Sequence, residues 1–188
     1  MARVEGLQAI LAEPLSYLHP QRLSVPAGFD CPEARRLLNR IVLEGLQLQG
    51  PWPSVQLSPM ANQWVGHWRR LPHIAELMGA YRVMPELARG GALRGLPMSL
   101  RRFASYSLGT RSRLPIDSPQ VSMEQVQAAG LNALCSWHGQ VPAMLLKRLT
   151  LQFCPSVVRL HEQWPVAEPD PALIHLAVQH ARLYPNPD

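Results

Sequence analysis

The sequence predicts a mainly α fold: a compact, irregular multi-helix domain with room for a minor β-ribbon. Three observations carry that prediction. Apolar residues recur at three- and four-residue spacing in most segments, and no run alternates for long enough to build a real sheet. Prolines and glycines, 19 and 12 of them in 188 residues, cut the pattern into short pieces. Hydrophobic residues make up 47% of the chain and charged residues only 16%, the balance of a folded chain with a core to bury rather than a disordered one. We read one domain over residues 1–188, with a candidate subdomain boundary near 110–121, where "RSRLPIDSPQ" is the most polar linker.

The elements follow in order. Val4, Leu7, Ile10 and Leu11 keep helical spacing, and Pro14 ends that run. "EPLSYLHPQRLSVPAGFD" carries three prolines, each fixing φ and removing a backbone donor, and reads as ordered but irregular. "CPEARRLLNRIVLEGLQLQG" is the clearest amphipathic helix. Leu37, Leu38, Ile41, Val42 and Leu46 form one stripe, with Glu33, Arg36, Arg40, Glu44 and Gln47 opposite, Pro32 in the first turn and Gly50 as the stop.

"PWPSVQLSP" is a loop. A helical run carrying Trp64, Trp68 and Leu71 then meets Pro72, which bends it or opens a new helix with Ile74, Ala75, Met78 and Tyr81. Further helices fit 84–89 and 97–108, joined through the glycines of "RGGALRG". Ser122 and Gln125 have capping-box spacing ahead of a helix through Val126, Ala133, Leu134 and Trp137 that ends at Gly139. "AMLLKRLTLQF" is a short helix or strand, and Val157, Leu160 and Trp164 fit another short helix. Asp170 as N-cap and Pro171 open the last helix, with a stripe of Ile174, Ala177, Val178, Ala181 and Tyr184.

No catalytic or metal motif survives inspection, and the sequence predicts neither an enzyme, a cofactor nor a metal. Gly90 and Gly95 have phosphate-loop spacing, but Leu96-Pro97 stands where Lys-Ser/Thr is required. "HEQWP" starts like a zinc-protease helix, yet Pro165 falls where the second histidine belongs, so His161 and Glu162 read as a solvated helix face. His175 and His180 are five residues apart and do not share a helix face. Cys135 and His138 lie one turn apart without an orienting third group, and Cys135 reads as a structural cysteine. Cys31, Cys135 and Cys154 are scattered without a CxxC pair, which fits a reducing compartment better than a disulfide framework. No stretch approaches the roughly 18 apolar residues of a membrane span, and Glu5, Gln8 and Glu13 interrupt any leader-like run. We therefore expect a cytoplasmic protein.

The net charge of +5 comes almost wholly from arginine, since Lys147 is the only lysine. Nine arginines lie between Arg69 and Arg113, against Glu76 and Glu86. Such a belt fits phosphates or an acidic protein surface, so a basic helical nucleic-acid-binding protein is the alternative reading. Trp64, Trp68 and Tyr81 fall on the apolar stripe and read as core rather than as a base-stacking platform.

Several segments, in order, carry a family resemblance: "EPLSYLHPQRL", "WRRLPHIAELMG" followed by "ELARGGALRGLP", the looser pair "GLNALCSWHG" and "LKRLTLQFCP", and the closing "LAVQHARLYPN". They resemble the type III secretion sorting-platform adaptors of the OrgA/MxiK (SctK) type. That resemblance implies a non-enzymatic cytoplasmic adaptor docked at the cytoplasmic face of the bacterial inner membrane. Its implied partners are the cytoplasmic domain of the inner-membrane ring protein and the C-ring-type scaffold protein of the sorting platform. The stator and export ATPase would be reached indirectly, nucleic acid is not a partner, and the membrane is met only through a partner. Within the matched motifs, Arg69, Arg70, Tyr17 and His19 are the candidate partner-binding residues. Pro14, Pro20, Trp68, Leu71, Pro72, Gly79, Gly91, Leu93, Gly95 and Pro97 are the candidate architectural ones.

Overall fold

The computed structural model describes residues 2–50, 56–89, 91–108, 116 and 121–184, with side chains from residue 6 onward. Its described residues form helices and turns with no strand, so the mainly α prediction holds and the β-ribbon does not form there. "AMLLKRLTLQF", left open between helix and strand, is a helix followed by a 3₁₀ turn. The chain groups into two compact units, residues 1–69 with 138–155 and residues 70–137 with 156–188. The candidate boundary near 110–121 falls on positions that, apart from Ile116 and Val121, lie outside the described residues.

The first unit contains α1 (Ala2–Ala12), α2 (Pro32–Gly45), α3 (Pro59–Gly66) and α8 (Ala143–Leu149). Helix α1 packs on α3 and α2, burying Leu7, Ile10 and Leu11 with Ala61, Trp64 and Val65. Ser58 caps α3, its hydroxyl accepting from the Ala61 N–H while donating to the Gln140 carbonyl. The proline-rich stretch after α1 is ordered because the rest of the unit satisfies its backbone. Leu15 donates its N–H to Asn39 Oδ1 at 2.9 Å, and His19 donates its own to the Leu151 carbonyl at 2.9 Å. Arg22 Nε donates to the Phe153 carbonyl at 2.9 Å and its Nη2 to the Thr150 carbonyl at 3.2 Å.

The second unit holds α4 (Leu71–Arg82), α5 (Met84–Arg89), α6 (Met98–Ala104), α7 (Met123–Cys135), α9 (Pro155–Glu162, from Ser156 on) and α10 (Pro171–Leu183). Helix α4 is its axis, packed by α7, α6 and α10 and buried on nearly every side. Its crossing with α7 is set by two glycines. A Cβ on Gly79 would run into the Val126 carbonyl, and one on Gly130 into the Ala75 carbonyl, so the two backbones touch where both residues lack a side chain. Beside that crossing, buried Arg82 donates through Nη1 to the Ala129 carbonyl and to Asn132 Oδ1, both at 3.0 Å. Asn132 Nδ2 in turn donates to the Pro165 carbonyl. The capping box is present as expected: Gln125 N–H donates to Ser122 Oγ while Ser122 N–H donates to Gln125 Oε1. Asp170 caps α10 by accepting from the Leu173 N–H.

Five sequence expectations change. The helix read over 97–108 stops at Ala104, with Ser105 as its C-cap. Helix α2 ends at Gly45 rather than Gly50, because Gln47 turns the chain with φ of 50°. Trp164 lies beyond α9. His161 is half-buried, with no hydrogen-bond partner for Nδ1 among the described residues and its pKa lowered chiefly by burial, whereas Glu162 beside it is exposed. Tyr184 lies past α10 and is 43% exposed rather than part of the buried stripe.

Candidate partner-docking surfaces

Helix α2 departs most from the sequence reading. Its apolar stripe is the most regular in the chain, yet no residue of the helix is fully buried. Leu37 is 54% exposed and Ile41 52%. The side that meets the protein is made instead by Ala34, Leu38, Asn39, Val42 and Leu43, all half-buried. The helix therefore has a half-covered face and, one turn apart, two bare branched residues. At its N-terminus Phe29 is 58% exposed. Along one flank a cleft of about 480 Å³ is lined by Glu13, Asn39, Arg35, Arg36 and Arg40. Arg35 pairs with Asp30 and Arg36 with Glu33; such exposed pairs contribute little to stability and open easily to a competing ligand.

The candidate partner-binding residues separate into two kinds. Arg69 and Arg70 are both exposed, and neither forms an ion pair among the described residues. They sit where the chain passes from the first unit to the second, in the 3₁₀ turn Trp68–Arg70 ahead of Pro72 in the first turn of α4. Tyr17, by contrast, is buried. Its hydroxyl donates to the Ile10 carbonyl at 2.9 Å, its ring meets Trp68 edge-on with centroids 5.4 Å apart, and burial, opposed by nearby Arg148, pushes its phenol up to about 12. His19 is half-buried, with Nδ1 accepting from the Gln21 N–H. Burial and the adjacent Arg22 hold its pKa below the ordinary histidine value.

The architectural candidates occupy turns and packing positions. Pro14, Trp68 and Leu71 are buried, while Pro20, Gly95 and Pro97 are exposed. Gly91 has φ of 70°, a conformation glycine adopts without strain, at the start of the turn Ala92–Gly95, where Leu93 is half-buried. Gly90, the first glycine of the phosphate-loop spacing, lies outside the described residues, as do Arg111 and Arg113.

Not every arginine of the belt is free surface charge. Arg82 is buried in the second unit, Arg101 is half-buried, and Arg89 is held by Glu86 at 3.0 Å. Sequence spacing missed this inward use of arginine, and missed Arg148, which is 3% exposed. Arg148 Nη2 donates to the Leu48 carbonyl at 2.8 Å and the Leu11 carbonyl at 3.4 Å. A guanidinium can satisfy several carbonyls at once through its rigid, planar fork of five donors. The Cys135 thiol is pushed up to about 12 by burial, so it is not an activated nucleophile. Among the described residues no His, Cys, Asp and Glu cluster fits a metal ion, and no helix is long and apolar enough to cross a membrane.

Comparison with known proteins gives a consistent result. The family described as "Bacterial type III secretion apparatus protein (OrgA_MxiK)" matches residues 7–183. The protein "Oxygen-regulated invasion protein OrgA" of Salmonella typhimurium, in strains 14028s, SL1344 and LT2, is 34% identical over 181 residues. That alignment covers 95% of this chain and 88% of each relative. No solved structure matches.

Proposed function

We propose, for a chain that belongs to the OrgA/MxiK family of bacterial type III secretion apparatus proteins, the role of an adaptor within that apparatus. It joins the cytoplasmic domain of the inner-membrane ring protein to the C-ring-type scaffold of the sorting platform, and so works at the cytoplasmic face of the inner membrane. The stator and export ATPase are reached through the scaffold. An adaptor works by presenting surfaces rather than by gathering reactive groups. The observation that carries this reading is helix α2, an amphipathic helix whose Leu37 and Ile41 stay open while Leu7, Ile10, Leu11, Trp64 and Trp68 of the same unit are buried. Uncovered apolar residues of this kind, rimmed by charge, suit a protein partner.

Arg69 and Arg70 are the second element of the proposal. Both are exposed and form no ion pair among the described residues, which suits orientation of an acidic partner surface. Tyr17 is assigned a supporting role, because its hydroxyl and ring are already engaged inside the first unit. His19 is likewise assigned to holding the proline-rich segment in place. Pro14, Pro20, Trp68, Leu71, Pro72, Gly79, Gly91, Leu93, Gly95 and Pro97 shape the turns and packing that carry these surfaces.

The test is co-expression with the scaffold protein, and separately with the ring protein's cytoplasmic domain, read by size-exclusion chromatography with light scattering. Wild type should co-elute with each at a defined mass. Leu37→Asp with Ile41→Asp should abolish one of the two complexes, and Arg69→Glu with Arg70→Glu should weaken a complex, since like charges across an interface cost several kcal/mol. Circular dichroism should be unchanged in both variants. Separate elution of well-folded wild-type protein from both partners would refute the adaptor role.

A further inference from the structure

The end of the closing helix, through Tyr184, has a structural setting that the adaptor reading does not use. In the second unit, α6 and α10 end side by side around the ring of His180. Phe103 meets it edge-on with centroids 5.2 Å apart, Tyr106 edge-on at 6.0 Å, and Tyr184 tilted at 4.7 Å. Phe103 and His180 are buried, but Tyr106 is 40% and Tyr184 43% exposed, with Leu183 beside Tyr184 at 74%. The result is an aromatic cluster whose inner half is core and whose outer half is surface.

Within the two helices themselves the charge has one sign. Neither α6 nor α10 contains an aspartate or glutamate, whereas their last turns contribute Arg101, Arg102, His180 and Arg182. Arg102 is exposed and close enough to help depress the His180 pKa, an effect due first to burial and in part to His73. The neighbouring acid on α4 is Glu76, already engaged by His73 and by Gln127 Nε2. Cations at helix C-termini also favour the helix dipole, which accounts for the sign of the charge. It does not account for an exposed leucine and two half-exposed tyrosines among those cations.

We propose that the paired ends of α6 and α10 form a second docking face, which takes an acidic segment of another protein bearing an apolar side chain. The apolar side chain lies against Leu183 and Tyr184, and a carboxylate faces Arg102. Aromatic rings supply wide contact area at low entropic cost, and arginine supplies bidentate carboxylate pairing. A second copy of this chain does not fit, because two such basic faces repel.

The face is tested with the full chain and fluorescent synthetic peptides rich in Glu and Asp that carry Leu or Phe anchors. The comparison ligands are charge-matched peptides with Ser at the anchor positions, phosphatidylglycerol vesicles and a short DNA duplex. Anchored acidic peptides should bind, more weakly as salt rises. Arg102→Glu and Leu183→Asp should each weaken binding about tenfold, while Leu37→Asp with Ile41→Asp leaves it unchanged. Both substituted residues are exposed, and a circular dichroism melt confirms that each variant folds. Equal binding of peptides with and without anchors, preference for vesicles or DNA, or indifference to Arg102→Glu and Leu183→Asp would overturn the proposal. Because α2 is spared, this result stands or falls separately from co-elution with the scaffold and ring proteins.

Discussion

Replacing Gly130 by alanine sets two effects against each other, and the structure decides between them. In a helix interior alanine is favoured over glycine by about 0.8–1.0 kcal/mol. At Gly130, however, the added Cβ would overlap the carbonyl, carbonyl carbon and Cα of Ala75. These are backbone atoms of α4, so no side-chain rotation relieves the clash and the two helices must move apart. Overpacking of this kind costs about 1–3 kcal/mol, and contact with backbone belongs at the upper end. The net loss should be about 1–2 kcal/mol, or roughly 2–8 °C in melting temperature for a chain of this size. Gly66→Ala is the control: it is also helical, nothing lies within 4 Å of its Cβ, and it should be neutral or slightly stabilising. Gly79→Ala meets the Val126 carbonyl at the same crossing. Once one methyl has spread the helices the second enters space already opened, so the double variant should cost less than the sum of the two single changes. Urea denaturation followed by circular dichroism measures all four variants. A Gly130→Ala protein as stable as wild type would refute the close-crossing argument, and strict additivity would refute the shared separation.

Three further outcomes follow from individual groups. Tyr17→Phe leaves the buried Ile10 carbonyl without its side-chain donor while keeping the ring against Trp68, and should cost about 1–2 kcal/mol in urea titrations; no change would remove the hydroxyl from the packing account. Ser122→Ala removes one half of the capping box and should cost about 1 kcal/mol, with hydrogen exchange rising first in the opening turn of α7. His19, His161 and His180 all have pKa values lowered mainly by burial, so the unfolded chain binds more protons than the folded one. Stability should therefore be fully present above the ordinary histidine value of about 6.5 and fall as pH drops toward the folded values. His180→Gln, which cannot take up a proton, should show a shallower fall than wild type, and an identical slope would exclude His180 as a contributor.

The parts of the fold that could be read from sequence are those in which local chemistry decides the outcome. Pro72 at the first turn of α4, the Ser122–Gln125 box and the Asp170–Pro171 start of α10 each act through the backbone within four residues, and each appears where its spacing places it. Trp64, Trp68 and Tyr81 are core, as their stripe implies. Periodicity fails in α2, since amphipathic spacing says that a helix has an apolar face but not that the rest of the chain has anything to cover it. Leu37 and Ile41 follow the same spacing rule as Leu71 and Ile74, yet the first two are half exposed and the second two buried.

Arginine sets the opposite limit. Charge counting treats Arg82, Arg102 and Arg148 alike, but Arg82 and Arg148 spend their donors on buried carbonyls and an amide, while Arg102 is exposed at the end of α6. A buried guanidinium must find several acceptors, and those acceptors, such as Leu48 and Ala129, come from chain segments that no local pattern connects to it. Net charge consequently overstates the basic surface available to a ligand. Those outside among the described residues have different neighbours; among them, Arg35, Arg36 and Arg40 line the cleft beside α2, Arg69 and Arg70 sit ahead of α4, Arg89 pairs with Glu86, and Arg102 stands beside exposed aromatics. A polyanion such as DNA is held best where many cations act together, whereas small separated groups of arginines beside apolar residues match protein surfaces of limited extent. The distribution of the arginines, more than their number, is what favours protein partners for this chain.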